Sequence, residues 1–323
     1  MSLNFSVVIP NLNGAAYLDE SLPSLLKAIN LCPSSKFEII LVDNASTDNS
    51  FDILNKYFLE SKIIILKKNY GFAYAVNRGI EAAKYDYVCL MNNDLSLDPL
   101  WFKKITATIK KDSTPVCFSG TVLNKEGTHY ESQGLDFHYS GECHNLRNGE
   151  PYLEIALRSK SSWGNNLKIG NSLIWGSSAA LVVYQKDIIK KIGLFDEDFF
   201  AYEEDVDVAL RLHLLGYQTL LIPTAISYHL GGGTSRRMGN FRHRMDLKNW
   251  IYIIIKNFTG TEIIKNFFPI IEQRLRNLSG LIKNTPSISV LPTVLSVFYE
   301  VAVHLPSMFK KRHQFQKLLK SKL

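Results

Sequence analysis

Glu203, Glu204, Asp205 and Asp207 crowd into the stretch AYEEDVDVAL, Ala201 to Leu210, just before the chain turns apolar. Acids gather at the positive end of a helix dipole; grouped carboxylates also bind metals or act as general bases. With a helix starting near Glu204 and advancing about 100° per residue, Glu204, Asp207 and Arg211 share one side. Asp207 and Arg211 have the spacing of a stabilising ion pair. Asp205 points away from them, toward Ala209 and Leu212, and a carboxylate on an apolar side is expected to have a raised pKa. Two further acids end apolar runs: Asp43 closes FEIILVD and Asp94 closes YVCLMNND. Each is also a plausible turn former or cap.

The elements that must position these acids are readable from the pattern. FSVVIP is a buried strand, and Leu18, Leu22, Leu25, Leu26 and Ile29 follow at helical spacing. FEIILVD is a second strand, followed by a helix near 51–58, a strand at KIIILKK, a helix near 73–83 and the strand YVCLMNND. Strands alternating with helices predict an α/β fold with a mostly parallel central sheet. Ligands bind such sheets at the carboxyl ends of the strands, where Asp43 and Asp94 sit. Residues 120–170 read as loops with short strands, and LIWGSSAALVVYQ returns to strand character. DIIKKIG is a short helix, VALRLHLLGY a helix ending at Gly216, and QTLLIPTAISYH one or two strands. LGGGTSRR is a flexible loop without the Gly-x-Gly-x-x-Gly spacing of a dinucleotide turn.

The 323 residues, 46% apolar, suffice for a large core. Cys32, Cys89, Cys117 and Cys143 form no Cys-x-x-Cys pair, which argues against a zinc or redox motif and fits a reducing compartment. MSLNFSVVIP lacks a basic region followed by a long apolar run, so no secretory signal is expected. Residues 251–323 hold 11 Lys+Arg against 3 Asp+Glu, a charge of +8, leaving 26 against 27, or −1, for residues 1–250. The division expected is a catalytic domain over 1–250, with halves at about 1–115 and 116–250, and a basic, apolar helical tail over 251–323. NWIYIIIKNF and ISVLPTVLSVFYEVAVHL are strongly apolar and KKRHQFQKLLKSK follows. This combination predicts a helix lying on an anionic membrane surface, with core helices capping the domain as the alternative.

Taken together, VVIPNLNGAAYLDESLPSLL, EIILVDNASTDNS, NYGFAYAVNRGI, LMNNDLSLDP and GLFDEDFFAYEEDVDVALRLHLLGY resemble the inverting family 2 glycosyltransferases of GT-A fold, in particular the rhamnosyltransferase-like group that builds bacterial surface polysaccharides. The resemblance covers about residues 5–235. It implies that Pro10, Asn11 and Asn13 line a base pocket, with Leu12 where the family often has an aromatic. Asp43 would accept from the ring N–H of a pyrimidine. Gly71 would let the backbone approach the nucleotide, with Asn77, Arg78 and Asn93 steadying the donor. Asp94 ends an Asn-Asn-Asp where the family has Asp-x-Asp, and would hold Mg²⁺ or Mn²⁺ on the diphosphate, with His229 as a further ligand. Gly231, Gly232 and Gly233 would form a loop closing over the donor. Trp175 and Gly176, with Glu204, would flank the donor sugar and acceptor, and Asp205 would be the base that deprotonates the acceptor hydroxyl.

The expectation is therefore a metal-dependent, inverting glycosyltransferase on the cytoplasmic face of a membrane. It would use dTDP-rhamnose or a UDP-hexose and a glycan or lipid-linked acceptor; no nucleic-acid partner is expected. The rivals are a sugar-phosphate nucleotidyltransferase and a non-catalytic protein binding nucleic acid or membrane. PNLNGAAYL carries no Arg to grip a triphosphate, against the first. The tail's aromatics sit in apolar runs rather than among basic residues, against a nucleic-acid binder.

Overall fold

The computed structural model describes residues 3–152, 171–231 and 240–321. Strands and helices alternate first as β1 (Phe5–Asn11), α1 (Ala15–Asn30), β2 (Phe37–Asp43), α2 (Ser50–Tyr57), β3 (Lys62–Ile65), α3 (Phe72–Ala82) and β4 (Tyr87–Met91). The pleat of β1 explains the two layers of helices. Phe5, Val7 and Ile9 face Leu18, Leu22 and Leu25 of α1, while Val8 faces Val76 and Ile80 of α3. A strand covered on both sides reads as a continuous apolar run. Each such buried side chain contributes about 1.5–3 kcal/mol.

Next come β5 (Leu95–Leu97), α4 (Trp101–Lys111), β6 (Cys117–Asn124), β7 (Tyr130–Ser132), β8 (Leu135–His138) and β9 (Glu142–Asn145). They are followed by β10 (Ser172–Ile174), β11 (Leu181–Gln185), α5 (Lys186–Lys191), α6 (Glu204–Leu214) and β12 (Thr219–His229). The sheet order is β10-β12-β6-β11-β4-β1-β2-β3, with β5 on β12 and β7 on β6. Strands β1 to β4, β6 and β12 run one way, and β10 and β11 are reversed. QTLLIPTAISYH forms one strand whose register slips between Leu221 and Ile226. Pro223 lies in that gap; it has no N–H for the ladder and is tolerated at a bulge. Strands β8 and β9 form a separate hairpin.

The C-terminal helices are α7 (Phe241–Asn257), α8 (Gly260–Lys265), α9 (Phe267–Lys283) and α10 (Val290–Lys320). The boundary expected at residue 250 falls inside α7. Its apolar run is core: Trp250, Tyr252 and Ile253 pack with Val206 and Leu210 of α6 and with Val301 and Met308 of α10. Phe315 of α10 joins the cluster beneath Ile189 and Leu212. The helices therefore pack on the body, as the capping alternative held, yet they also leave an apolar face outside. Phe268, Leu275, Leu291, Leu295, Tyr299 and Val303 are exposed on α9 and α10.

Candidate active site

Because β1 and β2 are parallel and pair Asn11 with Asp43, these side chains end up adjacent at one sheet edge. The Asn11 amide donates to Asp43 Oδ1 at 3.1 Å, and its carbonyl oxygen accepts from Asn93 Nδ2 at 2.7 Å. Ser46 N–H donates to the other Asp43 oxygen at 2.8 Å. Asn13, at φ 50°, accepts from Thr47 N–H at 2.8 Å and ties the first loop to the second. Pro10, Asn11 and Asn93 line a cleft of about 780 Å³; Asp43 is buried behind that lining, and Asn13 is exposed outside it.

Two residues the sequence reading missed complete this wall. Gly14 leaves room for the amides: a Cβ there would stand 2.0 Å from Asn93 Nδ2. Asn44 is buried and donates to Asn69 Oδ1 and Gly71 O at 3.0 Å each, while accepting from Tyr70 N–H at 2.8 Å. Its place beside Asp43 at the end of β2 was the available signal. Gly71 does line the cleft, but a second constraint acts on it. At φ 91° a Cβ would stand 2.4 Å from Phe200 O, so glycine is needed where the acidic loop crosses.

Asp94 follows β4, and β12 returns His229 to its side by pairing with β5. His229 Nε2 lies 3.1 Å from Asp94 Oδ2, and Nδ1 lies 2.5 Å from Glu131 Oε2. Hydrogen bonds donated by the ring to Asp94 and then to Glu131 raise the His229 pKa to about 10. Glu131, on β7, was not foreseen; nothing in its local pattern marks it. Asp94 Oδ1 is buried without a partner among the described residues. An unpartnered carboxylate oxygen beside an imidazole, both lining the cleft, fits a divalent cation. The described residues do not gather three His, Cys, Asp or Glu side chains around one point, since Glu131 meets the far ring nitrogen.

The opposite wall is the start of α6, where Glu203, Glu204 and Asp205 line the cleft. Asp205 Oδ2 accepts from Ala179 N–H at 3.1 Å and Oδ1 from Val206 N–H at 2.8 Å. Burial raises its pKa, and these N–H groups oppose the rise. Glu204 is pushed up to about 8, by burial first and then by the charge of Asp205, and its Oε2 has no partner among the described residues. Asp207 faces away, toward Arg211 at 2.7 Å and Lys256 at 2.7 Å. The split between Asp205 and Asp207 is as expected, whereas Glu204, expected beside Asp207 and Arg211, stands in the cleft with Asp205 at the first turn.

Four of the expected site residues stand elsewhere. Asn77 donates to Phe195 O at 2.8 Å and accepts from Phe195 N–H at 3.0 Å, so its amide is spent fixing that loop. Arg78 is drawn to Glu197 at 2.9 Å and borders a separate cavity. Trp175 stacks on Phe137 with ring centroids 4.5 Å apart, in an aromatic cluster outside the cleft lining. Gly176 makes room for α6: a Cβ there would stand 2.5 Å from the Ala209 Cβ. Of the glycine loop, Gly231 is described and Gly232 and Gly233 lie outside the described residues.

This arrangement has relatives. The chain is 25% identical over 241 residues to the chondroitin synthase of Pasteurella multocida (strain Pm70), covering 71% of this chain and 25% of that protein. The chain thus spans a fraction of that relative's length. Among solved structures, S. aureus TarS 1-349 is similar at TM-score 0.57 and 15% identity, covering 99% of this chain and 88% of that one. GalNAc-T7, solved with UDP, GalNAc and Mn²⁺, is similar at TM-score 0.57 and 19% identity, over 79% of this chain and 48% of its own. At these identities the structures show a shared fold, that of GT-A glycosyltransferases. The sequence match to Glycosyl transferase family 2 runs over residues 6–175, and a chain that carries this family's sequence on this fold is a member of glycosyl transferase family 2.

Proposed function

We propose that the protein is an inverting, metal-dependent glycosyltransferase that moves a hexose or N-acetylhexosamine from a UDP-linked donor to a hydroxyl of a growing surface glycan. The observation that carries this reading is that Asp94, His229 and Asp205, from three distant parts of the chain, line one cleft at the carboxyl ends of the parallel strands. Of the two donors left open by the sequence, the UDP-sugar has the support. GalNAc-T7 was solved with UDP, and TarS 1-349 with UDP-GlcNAc. No observation favours dTDP-rhamnose.

In this reading Pro10, Asn11 and Asn93 receive the nucleotide, with Asp43 fixing the amide of Asn11. The Asp94 and Asp205 carboxylates line the cleft, so an anionic diphosphate is better accommodated there with a cation. Asp94 and His229 would hold Mn²⁺ or Mg²⁺, the imidazole giving up its extra proton to the incoming cation and Glu131 orienting the ring. Bound there, the metal would supply Lewis-acid stabilisation of the leaving diphosphate. Asp205 takes the proton from the acceptor hydroxyl, whose oxygen attacks the anomeric carbon opposite the leaving group. Two backbone N–H groups hold its carboxylate in place for that transfer. Glu204, with its unpartnered oxygen, belongs on the sugar or acceptor side.

The deciding experiment compares Asp205→Asn with Asp207→Asn. The first should lose turnover by roughly 100-fold or more while UDP-sugar binding persists. The second should act on stability. Near-normal turnover in Asp205→Asn, or donor binding lost in step with turnover, rejects Asp205 as the base.

The membrane reading draws on α9 and α10. Ser287–Lys320 is apolar and long enough, by composition and length, to cross a membrane. It is held to the body by Arg244–Glu300 and Lys311–Asp198 ion pairs, which favours lying on an anionic surface with Leu291, Leu295 and Tyr299 outward. Such a site on the inner membrane face suits a lipid-linked acceptor.

A further inference from the structure

The backbone that leads into α6 is contorted. Phe200, Tyr202 and Glu203 have φ of 67°, 67° and 64°, in the left-handed region that non-glycine residues rarely occupy. Such a run persists only where its surroundings hold it. Here the holding can be followed carbonyl by carbonyl. Phe200 O accepts from Phe72 N–H at 2.6 Å. The other three, of Phe199, Ala201 and Tyr202, all accept from one side chain, the amide of Asn249, at 3.2, 2.8 and 2.7 Å.

Asn249 lies on α7, is fully buried, and is separated from this loop by almost fifty residues of chain. Its own carbonyl oxygen has no partner among the described residues. Packing alone does not explain a buried amide whose oxygen goes unpaired, since an apolar side chain would fill the same space. The amide orientation is fixed as well, because turning it over would set its oxygen against three carbonyl oxygens. What the position supplies is two N–H bonds directed at a strained turn.

We propose that Asn249 is a positioning residue for Asp205: its amide locks the left-handed turn over residues 199–203 and so sets where the first turn of α6 enters the cleft. The inference rests on Asp205 being the base. Asp205 is itself anchored on its far side by Ala179 N–H, so its carboxylate is held between β11's approach and this turn. Slackening the turn moves the carboxylate relative to the acceptor without touching Asn11, Asn93 or Asp94. A misplacement of about 1 Å is enough to lower turnover on the order of 100-fold.

The test measures kcat, donor KM and UDP-sugar binding for Asn249→Ala, Asn249→Ser, Asp205→Asn and the double variant Asp205→Asn/Asn249→Ala. The expected result for Asn249→Ala is kcat down on the order of 10–100-fold with donor KM and binding within about threefold, and partial recovery in Asn249→Ser, whose hydroxyl keeps one donor. The double variant should be no slower than Asp205→Asn, because a residue that acts through another adds nothing once that one is gone. If donor binding falls in step with kcat, if the losses multiply in the double variant, or if neither Asn249 variant folds, the amide serves general stability and the proposal is overturned. Near-normal turnover in Asp205→Asn would instead remove the base assignment, a separate outcome.

Discussion

Replacing Lys256 by Met should expose how much α6 depends on the buried ions behind it. Lys256 Nζ lies 2.7 Å from Asp196 and 2.7 Å from Asp207. Around it Asp196, Asp198 and Asp207 face Lys256, Arg211 and Lys311, a balanced set of charges. Met preserves most of the side-chain volume and removes one positive charge, leaving a buried net negative charge. Breaking a buried pair by removing one partner costs about 3–5 kcal/mol. The low end applies, since Arg211 still holds Asp207 through two nitrogens and Lys311 still holds Asp196. For 323 residues a loss of about 3 kcal/mol corresponds to a melting point lower by roughly 4 °C. The pH dependence gives a second reading. The neighbouring cations hold both carboxyls below their ordinary range despite burial. A depressed carboxyl contributes stability that is present above its unfolded pKa and fades as pH falls below about 4. The gap between wild type and Lys256→Met should therefore be full at pH 7 and shrink in acid. Urea unfolding at pH 7 and pH 3 measures both. Equal stability at pH 7, or a gap unchanged in acid, would refute the charge argument.

Three shorter predictions follow. Glu204, raised to about 8, binds a proton in the folded state that the unfolded chain releases above about pH 4.5. Its burial thus makes stability fall as pH rises from about 5 to 8, and Glu204→Gln should flatten that fall, by a few kcal/mol at most, in melts across the range. Gly14→Ala forces a Cβ against Asn93 and Asn11 and should weaken UDP binding about tenfold and cost about 1–3 kcal/mol, read by calorimetry and urea titration. Removing residues 286–323 should unfold or inactivate the protein, because Met308 and Phe315 are core, whereas Leu291→Ser/Leu295→Ser should leave the melting point unchanged and reduce binding to anionic liposomes in a flotation assay.

What the sequence revealed, and what it hid, divides along physical lines. Strands β1, β2 and β4 were legible because both their faces are covered, so their apolar runs are unbroken and end at Asn11, Asp43 and Met91 just before polar residues. The split between Asp205 and Asp207 was legible because helical periodicity alone fixes which acid meets Arg211. Glu131 and Asn249 were not, since each owes its place to a contact made across the fold rather than to its neighbours in the chain. Trp175 and Asn77 were misplaced for the reverse reason. Their motifs adjoin cleft residues, but Phe137 and the Phe195 backbone take up their side chains. The boundary at 250 failed because charge changes there while packing does not.

The reach of α10 back to the acidic loop bears on the order in which the protein becomes active. Lys311 grips Asp196 and Asp198 across more than a hundred residues of chain, and Asn249 must arrive before the turn at residues 199–203 is held. During synthesis the strands carrying Asn11, Asp43 and Asp94 emerge long before these clamps. A nascent chain can therefore assemble the wall proposed to receive the nucleotide early and still lack a positioned Asp205, the proposed base. Nucleotide capture and chemical competence would be acquired at different moments on the ribosome, so a chain halted before α7 would sequester donor without consuming it.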